Sequence, residues 1–243
     1  MSTSQRTHVA RIGRFKEGNN IIQPLAGYNP SNNLLKKLTI NTYITDVEAA
    51  NTTVTLAEQL LGNKQRARHL LVFTIGVTNP MCLEERITSI YNYLKGELGA
   101  TDASTRKVHS IVKKIRPQYK KKAPGTPRGV GASPSEKSFA AAPGFAKDVI
   151  DIITALGVAY APTDPSLKAP ALTILRQEII DANKAVTEAE KAYGDANRAR
   201  KKLYDGTSGM DKQISGIKGV LASFPGGKKS NEYIEYSDAI KGV

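Results

Sequence analysis

Cysteine occurs once in this 243-residue chain, as Cys82, and tryptophan does not occur. A lone thiol rules out an intrachain disulfide and suits a reducing compartment, where Cys82 reads as a small buried apolar residue. Histidine is scarce too: His8, His69 and His109 are widely separated. None has a Cys, Asp or Glu neighbour at metal-ligand spacing, so no metal site is expected. Aromatic residues make up 6 %. The longest apolar runs are short, such as Leu70 to Phe73, which leaves no membrane span. Arg6, Arg11 and Arg14 near the start are not followed by an apolar stretch, so no secretory signal is expected. A cytoplasmic location is the expectation, with export by a route lacking a cleaved signal left open. Sustained period-2 alternation is missing, which argues against strands.

What is present is 40 % hydrophobic residues, enough for a core, and a formal charge of +13. The excess is uneven. Residues 1–27 carry +3, residues 28–116 carry +5 and residues 117–142 carry +4, whereas residues 143–243 carry only +1. Such asymmetry points to a basic arm or an anionic partner, or simply to a solvated linker.

Self-similarity is the strongest feature. Shifting the chain by 132 positions sets Tyr28-Asn29-Pro30 on Tyr160-Ala161-Pro162, and the match continues ungapped to Leu71 and Leu203. It contains 15 identities in 44 positions, where chance gives about three at ordinary residue frequencies. Ala50-Asn51/Ala182-Asn183, Gly62/Gly194 and Arg66-Ala67-Arg68/Arg198-Ala199-Arg200 belong to the match. Beyond it the offset becomes 127, and upstream Phe15 with Ile21-Ile22 echoes Phe145 with Ile152-Ile153.

The expected architecture is all-α: two homologous helical-bundle modules, each with one long helix and two or three shorter ones. A flexible basic arm at 1–13 precedes module one at 14–116. A Pro/Gly/Lys-rich linker at 117–142 leads to module two at 143–243. In the second copy Leu172, Leu175, Ile179, Ala182, Val186, Ala189, Tyr193 and Ala196 recur at steps of 3 and 4, a helical seam. Pro170 and Gly206 or Gly209 bound this helix at about 170–206. The first copy repeats the seam from Ile40 to Leu61, with Thr39, Thr42, Thr45, Thr52, Thr53 and Thr55 between, so its helix leans on tertiary packing. Gly62 and Gly194 read as points of close helix approach. Shorter helices are expected at 83–98, 103–116, 145–156, 211–222 and 230–241.

Catalytic chemistry is not in view. Glu84 and Glu85 are adjacent and point to different helix faces, and Cys82 has no neighbouring base. His109 lies among Arg106, Lys107, Lys113 and Lys114, which suits a surface residue better than a general base. Gly125 to Gly131 lacks a preceding strand and a Gly-Lys-Ser/Thr, and Gly226-Gly227-Lys228-Lys229-Ser230 reads as a turn before the last helix. No catalytic residue, metal, cofactor or small-molecule substrate is expected.

Binding is the remaining possibility. Arg106, Lys107, Lys113, Lys114, Arg116, Lys120, Lys121 and Lys122 form the densest cationic stretch, able to follow a phosphate backbone, although cations at a helix C-terminus also suit its dipole. Arg66, Arg68, Arg198 and Arg200 recur in both copies, with Glu58 and Glu190 eight residues earlier, and suggest a salt bridge or a recurring interface. Tyr28 and Tyr160 open each copy with the ring packed back on the bundle. The tandem Tyr-x-Pro units, with a long helix and an Arg-Ala-Arg near its end, resemble uncharacterised bacterial proteins built from such helical repeats, over about 14–116 and 145–243. That resemblance implies no activity, cofactor or site. The leading expectation is a non-enzymatic structural or assembly protein whose duplicated surfaces bind protein partners or self-assemble into oligomers or filaments. The alternative is a nucleic-acid-associated protein held by the basic first module and linker.

Overall fold

A computed structural model of the chain describes residues 3–73, 82–115 and 134–241. Among them every regular element is helical: α1 (Thr3–Ile22), α2 (Lys37–Val72), α3 (Leu83–Glu97), α4 (Ala103–Ile115), α5 (Pro134–Leu156), α6 (Ala169–Asp205), α7 (Met210–Leu221) and α8 (Asn231–Ala239). No helix among the described residues is long and apolar enough to cross a membrane.

Two compact units are defined by the packing, Met1–Leu61 with Ala189–Val243, and Gly62–Glu188. Their bounds differ from the 14–116 and 143–243 modules expected from the repeat. The reason is length. Helices α2 and α6 have 36 and 37 residues, or about 55 Å, more than one core of this size covers. The first unit therefore takes α1, the front of α2, the back of α6, α7 and α8. The second takes α5, the front of α6, the back of α2, α3 and α4. A sequence copy and a packing unit are not the same object here.

In the first unit α1 packs on α8, and Ile12, Phe15, Ile40, Val47, Ile217 and Tyr236 are core residues. Gly18 sets the spacing, because a Cβ there would lie 2.8 Å from both Ile240 and Tyr236 side chains. In the second unit α3, α4 and α5 pack on one another around Ile87, Leu94, Val108, Val149, Leu172 and Ile179. Cys82 is fully buried at the start of α3.

Local structure recurs at or within one residue of the sequence offsets. Tyr28 Oη donates to the Leu35 carbonyl at 3.0 Å and Tyr160 Oη to the Leu167 carbonyl at 2.9 Å. Burial pushes the Tyr28 phenol up to about 12, and the Tyr160 phenol rises for the same reason. Between ring and acceptor, Asn32 Oδ1 accepts from the Leu34 amide and Asp164 Oδ1 from the Ser166 amide, each opening one 3-10 turn before a long helix. Asp102 and Ser230, 128 residues apart, cap α4 and α8. Asp102 Oδ1 accepts from Ser104 and Thr105 amides at 2.8 and 3.1 Å, and Ser230 Oγ from the Tyr233 amide at 3.3 Å. These amide bonds, that of Thr105 foremost, hold the Asp102 carboxyl below its ordinary range.

Three expectations change. Helix α1 begins at Thr3, so residues 3–13 are helical and not a flexible arm; Ile12 lies in the same buried face as Phe15. Helix α5 begins at Pro134, so residues 134–142 are helix and not linker. Pro143 inside it has no N–H, which deprives the Phe139 carbonyl of its donor. Asn183 Nδ2 from α6 supplies one at 3.0 Å, and the Pro143 carbonyl accepts from Arg176 Nε at 3.1 Å. Finally, Gly62 and Gly194 do not mark close helix approach. A Cβ on Gly62 would meet nothing within 4 Å, and one on Gly194 only the Arg198 side chain.

Candidate functional site

The repeated arginines lead to unlike surroundings. Arg66 is exposed, and Arg198 is exposed and ion-paired with Asp195, not with Glu190. Arg68 and Arg200 turn inward. In the second unit the Arg68 guanidinium carbon lies 4.2 Å from the Phe139 ring centroid, and Phe139 packs edge-on against Phe73 and His69 at 5.2 and 5.8 Å. The cation is covered by an aromatic face.

In the first unit Arg200 is 5 % exposed. Its Nη2 donates to Asn197 Oδ1 at 2.8 Å, a neutral partner, and its Nη1 has no hydrogen-bond partner. Beside it lies a cleft of about 280 Å³ lined by His8 and Arg11 of α1 and by Asn197, Lys201, Tyr204 and Asp205 of α6. Arg11 pairs through Nη2 with Asp211 at 2.9 Å and sits 4.9 Å from the Tyr204 ring centroid, while its buried Nε is unpartnered. Tyr204 is a hub. Its Oη donates to the His8 carbonyl at 3.0 Å and accepts from Asn51 Nδ2 at 3.1 Å, and its ring lies 4.6 Å from that of His8. Burial raises the Tyr204 phenol. Burial first, then the Arg200 and Arg11 charges, hold His8 below its ordinary value, with Asp205 acting the other way.

The dense cationic stretch is partly brought together. Arg106, Lys107, Lys113 and Lys114 lie exposed on α4, opposite its buried Val108, Ile111, Val112 and Ile115. Lys107 and Lys114 border a hollow of about 340 Å³ whose other residues include Asp148 and Asp151 of α5, so carboxylates face them. Arg116, Lys120, Lys121 and Lys122 lie outside the described residues. His109, expected at the surface, is half-buried and stacks on Tyr91 at 4.6 Å and 12°. Among the described residues no group of three His, Cys, Asp or Glu is placed to hold a metal.

A face absent from the sequence reading lies on α2. Leu38, Thr42, Thr45, Ala49, Thr52, Leu56 and Leu60 recur at steps of 4, 3, 4, 3, 4 and 4, with Thr53 alongside, and all are exposed. Leu38 is 78 % exposed, Leu56 60 % and Leu60 47 %. The stripe carries no charge over about 33 Å of helix. Its hydroxyls are satisfied internally: Thr42, Thr45, Thr52 and Thr53 donate to the carbonyls four residues back at 2.9 to 3.2 Å. What faces outward is methyl and leucine surface. The matching positions of α6 are Pro170, Ile174, Gln177, Asp181, Lys184, Glu188 and Ala192. There Gln177 bonds Asp181 at 3.0 Å and Lys184 approaches Glu188 at 3.9 Å, a self-paired solvated face. The signal in the sequence was the missing charge at helical spacing.

Comparison with family models, with curated proteins and with solved structures finds no match.

Proposed function

We propose that this chain is a non-enzymatic assembly protein, built on a duplicated helical unit, that acts through its outer helix faces and pairs with a second copy of itself along α2. One observation carries this reading: the uncharged, exposed stripe from Leu38 to Leu60 on a chain of net charge +13. Like-charged molecules repel. A stripe without charge, about 33 Å long, is where two copies approach at least electrostatic cost. Each leucine covered there gains in proportion to the area still exposed, about 1–2 kcal/mol, and the small Thr and Ala positions between them let helices come close. Two-fold pairing puts the same stripe on both sides of the contact.

Light scattering after size exclusion tests this, with the full chain examined across the micromolar range. Wild type should move from monomer to dimer mass as concentration rises, and Leu56→Lys with Leu60→Lys should stay monomeric while keeping its helical circular dichroism. A wild-type chain that remains monomeric throughout defeats the proposal.

A second reading rests on the exposed cations of α4. Arg106, Lys107, Lys113 and Lys114, with Arg116 and Lys120 to Lys122, would follow a nucleic-acid backbone, giving binding that weakens steeply with salt. Charge reversal at Lys113 and Lys114 should then reduce DNA or RNA affinity and flatten the salt slope. Absence of binding at low salt ends that reading.

A further inference from the structure

We propose that the cleft between α1 and the end of α6 in the first unit binds a phosphate-type oxyanion, held by Arg200, Arg11 and Lys201. This goes beyond the assembly reading and does not depend on it. The starting point is an imbalance. Arg200 is 5 % exposed and its Nη1 is buried, and a guanidinium so stripped of hydration is costly unless it is paired. Arg200 makes one hydrogen bond, to the neutral Asn197 amide, and its Nη1 makes none. Its sister Arg68 lies against the Phe139 ring. Arg200 instead borders an open cleft.

Two further residues of the cleft wall come from a second helix, α1. Arg11 is committed to Asp211 through Nη2 and has an unpartnered Nε, and His8 has an unpartnered Nδ1. Lys201 is exposed at the rim and supplies a mobile ammonium. Asp205 is the carboxylate on the cleft wall, and it stands against Arg200 and Lys201 together. A tetrahedral oxyanion offers acceptors to planar guanidinium donors and to an ammonium at once. The volume, about 280 Å³, is at the small end for ligand sites and accommodates a phosphate group or a small phosphomonoester. The carboxyl end of a helix opposes an anion through its dipole. The site therefore rests on side-chain charge, and removing the arginine should weaken it strongly.

The test is calorimetric titration of the full chain with inorganic phosphate, and separately with glycerol phosphate, against sodium chloride of equal ionic strength. Saturable binding of either is expected. Tighter binding of the ester identifies a phosphomonoester source, and equal binding identifies the free ion. Arg200→Gln should weaken binding at least about tenfold, or about 1.4 kcal/mol, and Lys201→Ala about threefold. Lys201 is exposed, so its variant remains informative if Arg200→Gln fails to fold. Nitrogen-15 spectra of the arginine side chains give an independent readout. Phosphate should shift the Arg200 and Arg11 signals and leave Arg68 unmoved. Binding no stronger than that of chloride, or equal binding by the wild type and Lys201→Ala with an unmoved Arg200 signal, overturns the proposal.

Discussion

Helices α2 and α6 start 132 residues apart, differ in length by one residue, and bury the same seam of positions, yet their outward faces differ over most of their length. Inside, Ile40, Val47 and Val54 answer to Leu172, Ile179 and Val186, all buried. Outside, α2 presents leucine and threonine where α6 presents Asp181, Lys184 and Glu188. The same contrast holds at their far ends, where Arg68 meets an aromatic ring and Arg200 a cationic cleft. Core positions are held by volume and shape, which a substitution upsets at once. Exposed positions are free to take on charge or lose it, so that is where two helices with matching buried seams come to differ.

The largest effects should come from breaking the shared interior. Ile179→Ala removes a fully buried side chain and should cost about 2–5 kcal/mol in urea unfolding, and its counterpart Val47→Ala less by about one methylene, ~1 kcal/mol. Comparable losses at both sites would mean that the two seams are not equivalent. Next comes Asn183→Ala, which strips the Phe139 carbonyl of the donor that Pro143 makes necessary, for about 1–3 kcal/mol. In a Pro143→Ala background the loss should shrink, because the helix then supplies its own donor. Tyr28→Phe and Tyr160→Phe each delete one hydrogen bond to a carbonyl seven residues on, and should cost a similar amount, about 1 kcal/mol.

How much of this was legible in the sequence depends on the kind of signal. The bounds of α6, expected at 170–206 and found at Ala169–Asp205, are marked by Pro170 and Gly206, whose backbone chemistry acts locally. The starts of α1 and α5, at Thr3 and Pro134, lie ahead of those the composition implies. Short apolar stretches such as Phe139 to Ala142 are masked by the Pro, Gly and Lys around them, and the donor that replaces the missing Pro143 N–H comes from distant Asn183. The division into packing units could not be read, since a repeat fixes what each copy contains and not which half of a long helix joins which core. Arg200 was legible as a repeated residue. Its unpaired burial was not, because that depends on His8 and Arg11 from the other end of the chain.

A pH effect sharpens the contrast between the two arginine sites. His8 faces Arg11 and Arg200, with Lys201, Tyr204 and Asp205 around the same cleft and Asp211 paired with Arg11, and its folded pKa lies below the ordinary 6.5. The unfolded chain therefore takes up the proton first as pH falls. Stability should be full above about 6.5, decline as pH drops from there to the folded value, and level off below it. His8→Gln should remove that step, seen in urea midpoints across pH in chloride buffer; an unchanged profile would place the titration elsewhere. The smallest effect is expected on the solvated face of α6, where Lys184→Ala should change stability by less than about 0.5 kcal/mol.

The most direct test exchanges the outer faces. Thr45→Gln, Ala49→Asp, Thr52→Lys and Leu56→Glu together give α2 the surface of α6 while leaving its buried seam untouched. Sedimentation equilibrium of this variant beside the wild type should find a dimer for the native stripe and a monomer, equally helical, for the exchanged one. The same mass for both chains at every concentration would contradict the account.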